Sequence, residues 1–364
     1  MPGRALHVRA VVLPDGEPRD LYVVDGRLTF DRPAYLDVET LASGGFVLPG
    51  LVDAHCHVGL ASEGRVPIEV AREQAITDRD TGALLLRDAG VPQTYYEFDV
   101  DPELPRIVHA GQHLARTKRY LRNYGVEMEP EELPAAAEAQ ARRPGGHSTP
   151  WVKFVGDWID REVGDLAPCW PGEVLKEAVA RAHAAGARVA VHVFGEEALP
   201  DLIAAGVDSL EHGTGIDEST IDDVAARGIA VVPTRINIGN FEKFADQATK
   251  YPVYAERMRR LERSSAQRLR DLHEAGVPIY VGTDSGGQLP HGIVVDEMLA
   301  MRDAGLPALD VLAAGSWKAR EWLGLPGLVE GALADFVLYE ADPRVDLNVL
   351  RSPKRIVVRG NVVR

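Results

Sequence analysis

Apolar residues recur along the chain in two textures. Over the first fifty residues and the last thirty-five, short runs rich in Val, Leu and Ile alternate with turn dipeptides. Val8–Leu13, Asp15-Gly16, Leu21–Val24, Asp25-Gly26 and Arg27–Phe30 form one such series, and Asp335–Tyr339, Ile356–Val358, Gly360-Asn361 and Val362-Val363 form the other. The pattern predicts β meanders. Neither end is long enough for an independent sheet, so the two are expected to pair into one composite β-sandwich, residues 1–50 with 326–364.

Between them, strand-like runs alternate with helix-like stretches: Leu51–His57, Ala83–Asp88, Arg106–Ala110, Trp151–Val155, Arg188–Val193, Ser209–His212, Ile229–Thr234 and Ile279–Asp284. Alternation of this kind builds parallel sheets through helical crossovers, and eight parallel strands close a (β/α)8 TIM barrel, here over residues 51–325. A doubly wound sheet is the alternative. Val174, Leu175, Ala178, Val179 and Ala182 recur at helical spacing, and Gly186 supplies the stop.

In a parallel barrel the strand interiors are packed, so a polar residue at a strand's C-terminal end stands at the mouth. The runs end in His55 and His57, Arg87 and Asp88, His192, His212 and Asp284, and Lys153 interrupts the apolar run of the fourth. Imidazoles and a carboxylate converging on one mouth are the donor set of a borderline-soft divalent ion, zinc above all. His55 and His57 stand at i and i+2 on a strand, so both face inward, while Cys56 faces outward as a small packed residue. Arg235 and Asn237 follow the seventh run and are mouth residues by position. His291, in the loop after the eighth, is a candidate for a substrate contact. Arg87 and Asp88 read as a structural ion pair, with Asp88 a candidate to orient a ligand histidine. His7, His147, His183 and His273 read as solvated or locally bonded; His109 and His113 follow the third run and are within reach of the mouth.

The segment Gly45-Phe-Val-Leu-Pro-Gly-Leu-Val-Asp-Ala-His-Cys-His57 resembles the opening signature of the amidohydrolase superfamily. The resemblance continues through Leu86-Arg87-Asp88-Ala89-Gly90, Trp151-Val152-Lys153-Phe154, Val191-His192-Val193, Leu210-Glu211-His212-Gly213, Gly282-Thr283-Asp284 and Gly331-Ala332-Leu333-Ala334-Asp335. It is most similar to the imidazolonepropionase-like and metal-dependent dipeptidase branch. The resemblance implies two divalent metal ions, one on His55, His57 and Asp284, the other on His192 and His212, bridged by Lys153 carboxylated by carbon dioxide. It also implies hydrolysis of an amide (a dipeptide, N-acyl amino acid or cyclic amide) or an ester by a hydroxide bound to the metal pair. In that scheme Asp284 is the proton acceptor, and His212 and His291 stabilise the oxyanion. A one-metal deaminase of a nucleobase-like ring would need a glutamate three residues after His192, where Gly195 stands; a non-catalytic scaffold would not need every ligand position filled.

After the third run, where relatives are glycine-rich, this chain reads Ala115-Arg116-Thr117-Lys118-Arg119-Tyr120-Leu121-Arg122. On a chain with 55 acidic and 40 basic residues and a net charge of −15, so basic a run stands out. Arg119, Tyr120 and Arg122, with Arg235, Asn237 and His291, are therefore the expected contacts to a small anionic substrate. The alternative partner for the run is the cluster Glu127, Glu129, Glu131 and Glu132. The acidic balance disfavours nucleic acid. The opening Met1-Pro2-Gly3-Arg4 lacks a signal-peptide core and no apolar run reaches bilayer length. Two cysteines cannot build a disulfide framework. The expectation is a cytoplasmic protein acting on small molecules, without a membrane partner, with a homo-oligomer open.

Overall fold

A computed structural model describes residues 4–143 and 149–364; residues 1–3 and His147 lie outside the described residues. The fold is mixed α/β, with one sheet built from both ends of the chain and parallel sheets between.

The hairpin Arg4–Val12 with Glu17–Val24 continues into Arg27–Thr29, and the C-terminal strands Phe336–Tyr339, Arg355–Val358 and Asn361–Val362 form a second meander. Asp25 and Gly26, both at positive φ, make the tight turn that the Asp-Gly dipeptide predicts. The strand Asp37–Leu48 joins the halves, pairing parallel with Arg4–Val12 and antiparallel with Phe336–Tyr339 in a seven-stranded sheet. That strand has no counterpart in the hydrophobic pattern, because most of its residues are half-buried or exposed and Asp37, Glu39, Thr40 and Ser43 interrupt it.

Leu51–Cys56, Ala83–Asp88 and Arg106–His109 form a parallel three-stranded sheet. A second sheet runs in the order Gly125–Met128, His113–Arg116, Trp151–Val155, Arg188–Val193, Ser209–His212, Ala230–Val232, all parallel. The third expected run thus ends earlier than Ala110, and pairing resumes at His113. Gly111 turns the chain at φ +72°, and the Gln140 side chain bonds both the N–H and the C=O of Gln112. The eighth run forms no regular strand but is bonded on one side to Ala230–Val232 through Tyr280 N–H to Val231 O, 3.0 Å, and on the other to Leu51–Cys56 through Ala54 N–H to Val281 O, 2.8 Å. The approach is so close that a Cβ on Gly282 would lie 2.7 Å from His55 Cβ, which only glycine permits.

Val52, Ala54, Leu85, Val108, Trp151, Ala190 and Val232 meet in one buried cluster with Ala319, Leu323 and Leu325 from the helix Trp317–Trp322 and the residues after it. This apolar floor underlies the polar ends of the strands. Helix Gly172–Ala184 buries Leu175, Ala178, Val179 and Ala182 and stops before Gly186, which takes φ +85°. Among the described residues no helix is long and apolar enough to cross a membrane.

Candidate metal centre

Above the apolar floor lies a buried polar layer. Arg87 is held between the rings of Trp151 and Trp322, its guanidinium carbon 4.6 and 4.9 Å from their centroids. It donates to both Glu211 carboxylate oxygens, at 2.7 and 2.8 Å, and not to Asp88. Adjacent residues on a strand point to opposite faces, which is why the expected Arg87–Asp88 pair does not form. Asp88 instead accepts from Gly90 N–H and faces His109. Burial opposes ionisation of Glu211, but Arg87, Lys153 and His55 hold its carboxyl well below the usual range. Its second task is to accept from His55 Nδ1 at 2.6 Å, which turns His55 Nε2 outward. Likewise His57 Nδ1 donates to Gly90 O at 2.7 Å.

Both outward nitrogens face Asp284. Its Oδ1 is 3.2 Å from His55 Nε2 and 2.9 Å from His57 Nε2, and its Oδ2 accepts from Asn237 Nδ2 at 2.7 Å. The three residues offer ligand atoms within 4.8 Å of one another. Beside them His192 Nδ1 and His212 Nε2 approach to 2.9 Å, and His212 Nδ1 bonds the Thr234 hydroxyl at 2.8 Å. Desolvation lowers His192 well below its ordinary value, aided by His212 and Lys153, and lowers His212 to about 3. Both rings are neutral and keep lone pairs for a cation. Three non-glycine residues at the run ends, His212, Thr234 and Asp284, adopt left-handed backbone at φ +68°, +44° and +60°. Each such conformation costs about 1–3 kcal/mol and persists only where the surroundings impose it.

Lys153 stands at the centre of its strand, 1% exposed, and its Nζ has no hydrogen-bond partner. Desolvation lowers its pKa to about 8. A buried amine without a partner, beside neutral imidazoles and one carboxylate, is the arrangement that a divalent centre with a carboxylated lysine would complete, so the residues fit the group.

The cavity over this cluster has a volume of about 400 Å³ and is lined by His55, His57, Tyr120, Lys153, His192, His212, Asn237 and Asp284, with further aromatic residues above. Of the run Ala115–Arg122, Tyr120 reaches the cavity as expected, but its basic side chains do not. Arg119 donates to Asp160 at 2.8 Å and to the Trp158 and Ala167 carbonyls, clamping the hairpin Asp157–Asp160 with Asp165–Pro168. Arg122 is exposed, and Arg235 bonds Ser265 while its N–H donates to Glu297. His291 is tied to Asp78 at 2.7 Å and is not among the lining residues.

Two further residues lie against these side chains: Glu211, which did not stand out in the sequence, and His113, which was expected within reach of the mouth. Glu211 was visible only as part of a motif, since its pairing needs Arg87 and His55 from distant strands. His113 is fully buried, its strand register sets it opposite Lys153, and its ring lies 5.3 Å from that of His57. Cys56 is buried on the outer face, as its strand position requires.

A model of the amidohydrolase family matches residues 113–363. The chain is 51% identical over 356 residues to an uncharacterized protein of Mycobacterium tuberculosis, covering 98% of this chain and 95% of that one. It is 28% identical over 231 residues to the ochratoxinase of Aspergillus niger, covering 62% of this chain and 47% of that one. A Xaa-Pro dipeptidase solved with methionine in its active site superposes with a TM-score of 0.81 over 98% of this chain and 99% of that chain; at 23% identity the likeness is one of fold.

Proposed function

Because the chain belongs to the amidohydrolase family, we propose that it is a metal-dependent hydrolase that cleaves an amide bond in a small molecule. The observation that carries the proposal is the buried, unpartnered Lys153 amine among His55, His57, His192, His212 and Asp284 on one cavity floor. His55, His57 and Asp284 would hold one divalent ion, His192 and His212 a second, and Lys153, carboxylated, would bridge them, with zinc the ion best suited to this donor set. When bound, such ions polarise a carbonyl and lower the pKa of water from 15.7 to about 7.

The chain's own residues supply the rest. Asp284 lies against His55 and His57 on one side and Asn237 on the other, where its carboxylate is placed to accept a proton beside the scissile group. Asn237 fixes the orientation of that carboxylate through Oδ2. Glu211 and the Gly90 carbonyl fix the tautomers of His55 and His57, leaving Nε2 of each free to bind. Tyr120 and Trp158, whose rings pack 4.9 Å apart, restrict water at the cavity wall. His291, whose Nδ1 is held by Asp78, is left out of this reading.

The same proposal reads residues 51–325 as a (β/α)8 barrel, supported by the hydrogen bonds from the 279–285 stretch to strands on both sides, and residues 1–50 with 326–364 as the composite β-sandwich. Two buried free cysteines fit a reducing, cytoplasmic setting. The test is turnover of a panel of N-acyl amino acids, dipeptides and cyclic amides by metal-loaded protein. Asp284→Asn is expected to lower kcat per bound ion by at least about a hundredfold. A variant matching the parent per ion would assign the proton to another group.

A further inference from the structure

With Arg119 and Arg235 engaged by protein groups and Arg122 outside the lining, none of the arginines expected at the mouth stands ready for a substrate anion. The cavity wall nonetheless carries a cation. Lys243 lies on the helix Phe241–Gln247, a short distance along the chain from the strand Ala230–Val232, and lines the cavity above the metal-site residues. Its acidic neighbours on that helix do not neutralise it, because Glu242 and Asp246 both bond Arg259, at 2.9 and 2.6 Å. Asp284 is the one carboxylate among the lining residues, and its oxygens are engaged by His55, His57 and Asn237 at the floor.

Much of the remaining wall is aromatic. Tyr120, Trp158, Phe194, Phe244 and Tyr254 line it, and the buried Tyr124 hydroxyl, also on this wall, has no hydrogen-bond partner. Apolar rings recognise a flat or branched apolar group, a lone ammonium recognises an anion, and an unsatisfied hydroxyl recognises a polar atom between them. From this juxtaposition we infer that Lys243 receives a carboxylate of the substrate while an aromatic or bulky apolar group of the same molecule packs against these rings. The scissile amide rests on the function proposed above; the recognition of the anion does not.

The ammonium sits at an open wall, so the contact is modest and screened by salt, about twofold to fivefold in affinity at low ionic strength. Calorimetric binding of 4-phenylbutanoate and 4-phenylbutan-1-ol, which share a skeleton and contain no cleavable amide, isolates it. The metal-loaded wild-type protein should bind the acid about twofold to fivefold tighter than the alcohol. Lys243→Met should remove that preference without changing affinity for the alcohol, and Lys243→Arg should restore it. An acid preference that survives Lys243→Met would show that the metal-site residues receive the carboxylate, and would overturn the inference. Equal binding of the two probes, or binding of neither, by the wild-type protein would overturn it as well. Failure of the hydrolase proposal would show separately, as absent amide turnover with the calorimetric preference intact.

Discussion

His55 Nδ1 lies 2.6 Å from Glu211 Oε2, and the same carboxylate is gripped by Arg87. One buried anion therefore both fixes the tautomer of a candidate metal-ligand histidine and compensates a guanidinium sandwiched between two tryptophans. The two roles predict two separable losses in Glu211→Gln. Metal affinity should fall by about 10–100-fold, because the ring's orientation and basicity are no longer set. Stability should fall by about 3–5 kcal/mol, because Arg87 is left as an uncompensated buried charge. Metal titration and thermal unfolding read the two effects. A variant with parental metal affinity would remove Glu211 from the centre.

On the far side of the strand layer, His109 faces Asp88 at 3.7 Å and Asp99 at 3.0 Å. Burial alone would lower this imidazole, but the two carboxylates outweigh it and raise its pKa from 6.5 to about 9. A folded-state pKa above the unfolded value stabilises the fold fully below about pH 6.5, and the contribution is lost as pH rises through about 9. At 1.36 kcal/mol per unit it amounts to roughly 3 kcal/mol. Unfolding free energies of His109→Gln and the parent should thus differ most near pH 6 and converge toward pH 9. Parallel curves across that interval would show that His109 carries no proton there.

Arg119 is predicted to be a clamp, not a substrate contact. Arg119→Ala should destabilise the protein by about 2 kcal/mol through the loss of charged hydrogen bonds to Asp160 and the hairpin carbonyls. It should also speed proteolysis between residues 157 and 168. It should lower activity toward a carboxylate substrate and its neutral amide analogue by the same factor. A selective loss for the anion would return Arg119 to the binding site.

What the sequence made legible followed from short-range periodicity. His55 and His57 share a face because a strand repeats every two residues, and the strands Leu51–Cys56, Trp151–Val155 and Arg188–Val193 fall on apolar runs. The helix Gly172–Ala184 announced itself by its apolar face and Gly186. The strand Asp37–Leu48 was hidden because the alternation on which such a reading depends is absent where most of a strand's side chains are half-buried or exposed. The fate of Arg119 was hidden for another reason. Its partner Asp160 lies forty-one positions away on a hairpin with no strong hydrophobic signal, whereas the nearby glutamates looked like the natural partners. Lys243 gave no signal at all, since what sets it apart is that Arg259 takes both acids beside it.

The central claim is that Lys153, buried without a partner, bridges a pair of divalent ions, and metal content per folded chain tests it most directly. Parental protein loaded with zinc in bicarbonate and freed of excess metal should retain close to two ions per chain. Lys153→Ala should lose at least one, with partial recovery on adding a short-chain carboxylic acid. Two tightly held ions and full activity in Lys153→Ala would contradict the account.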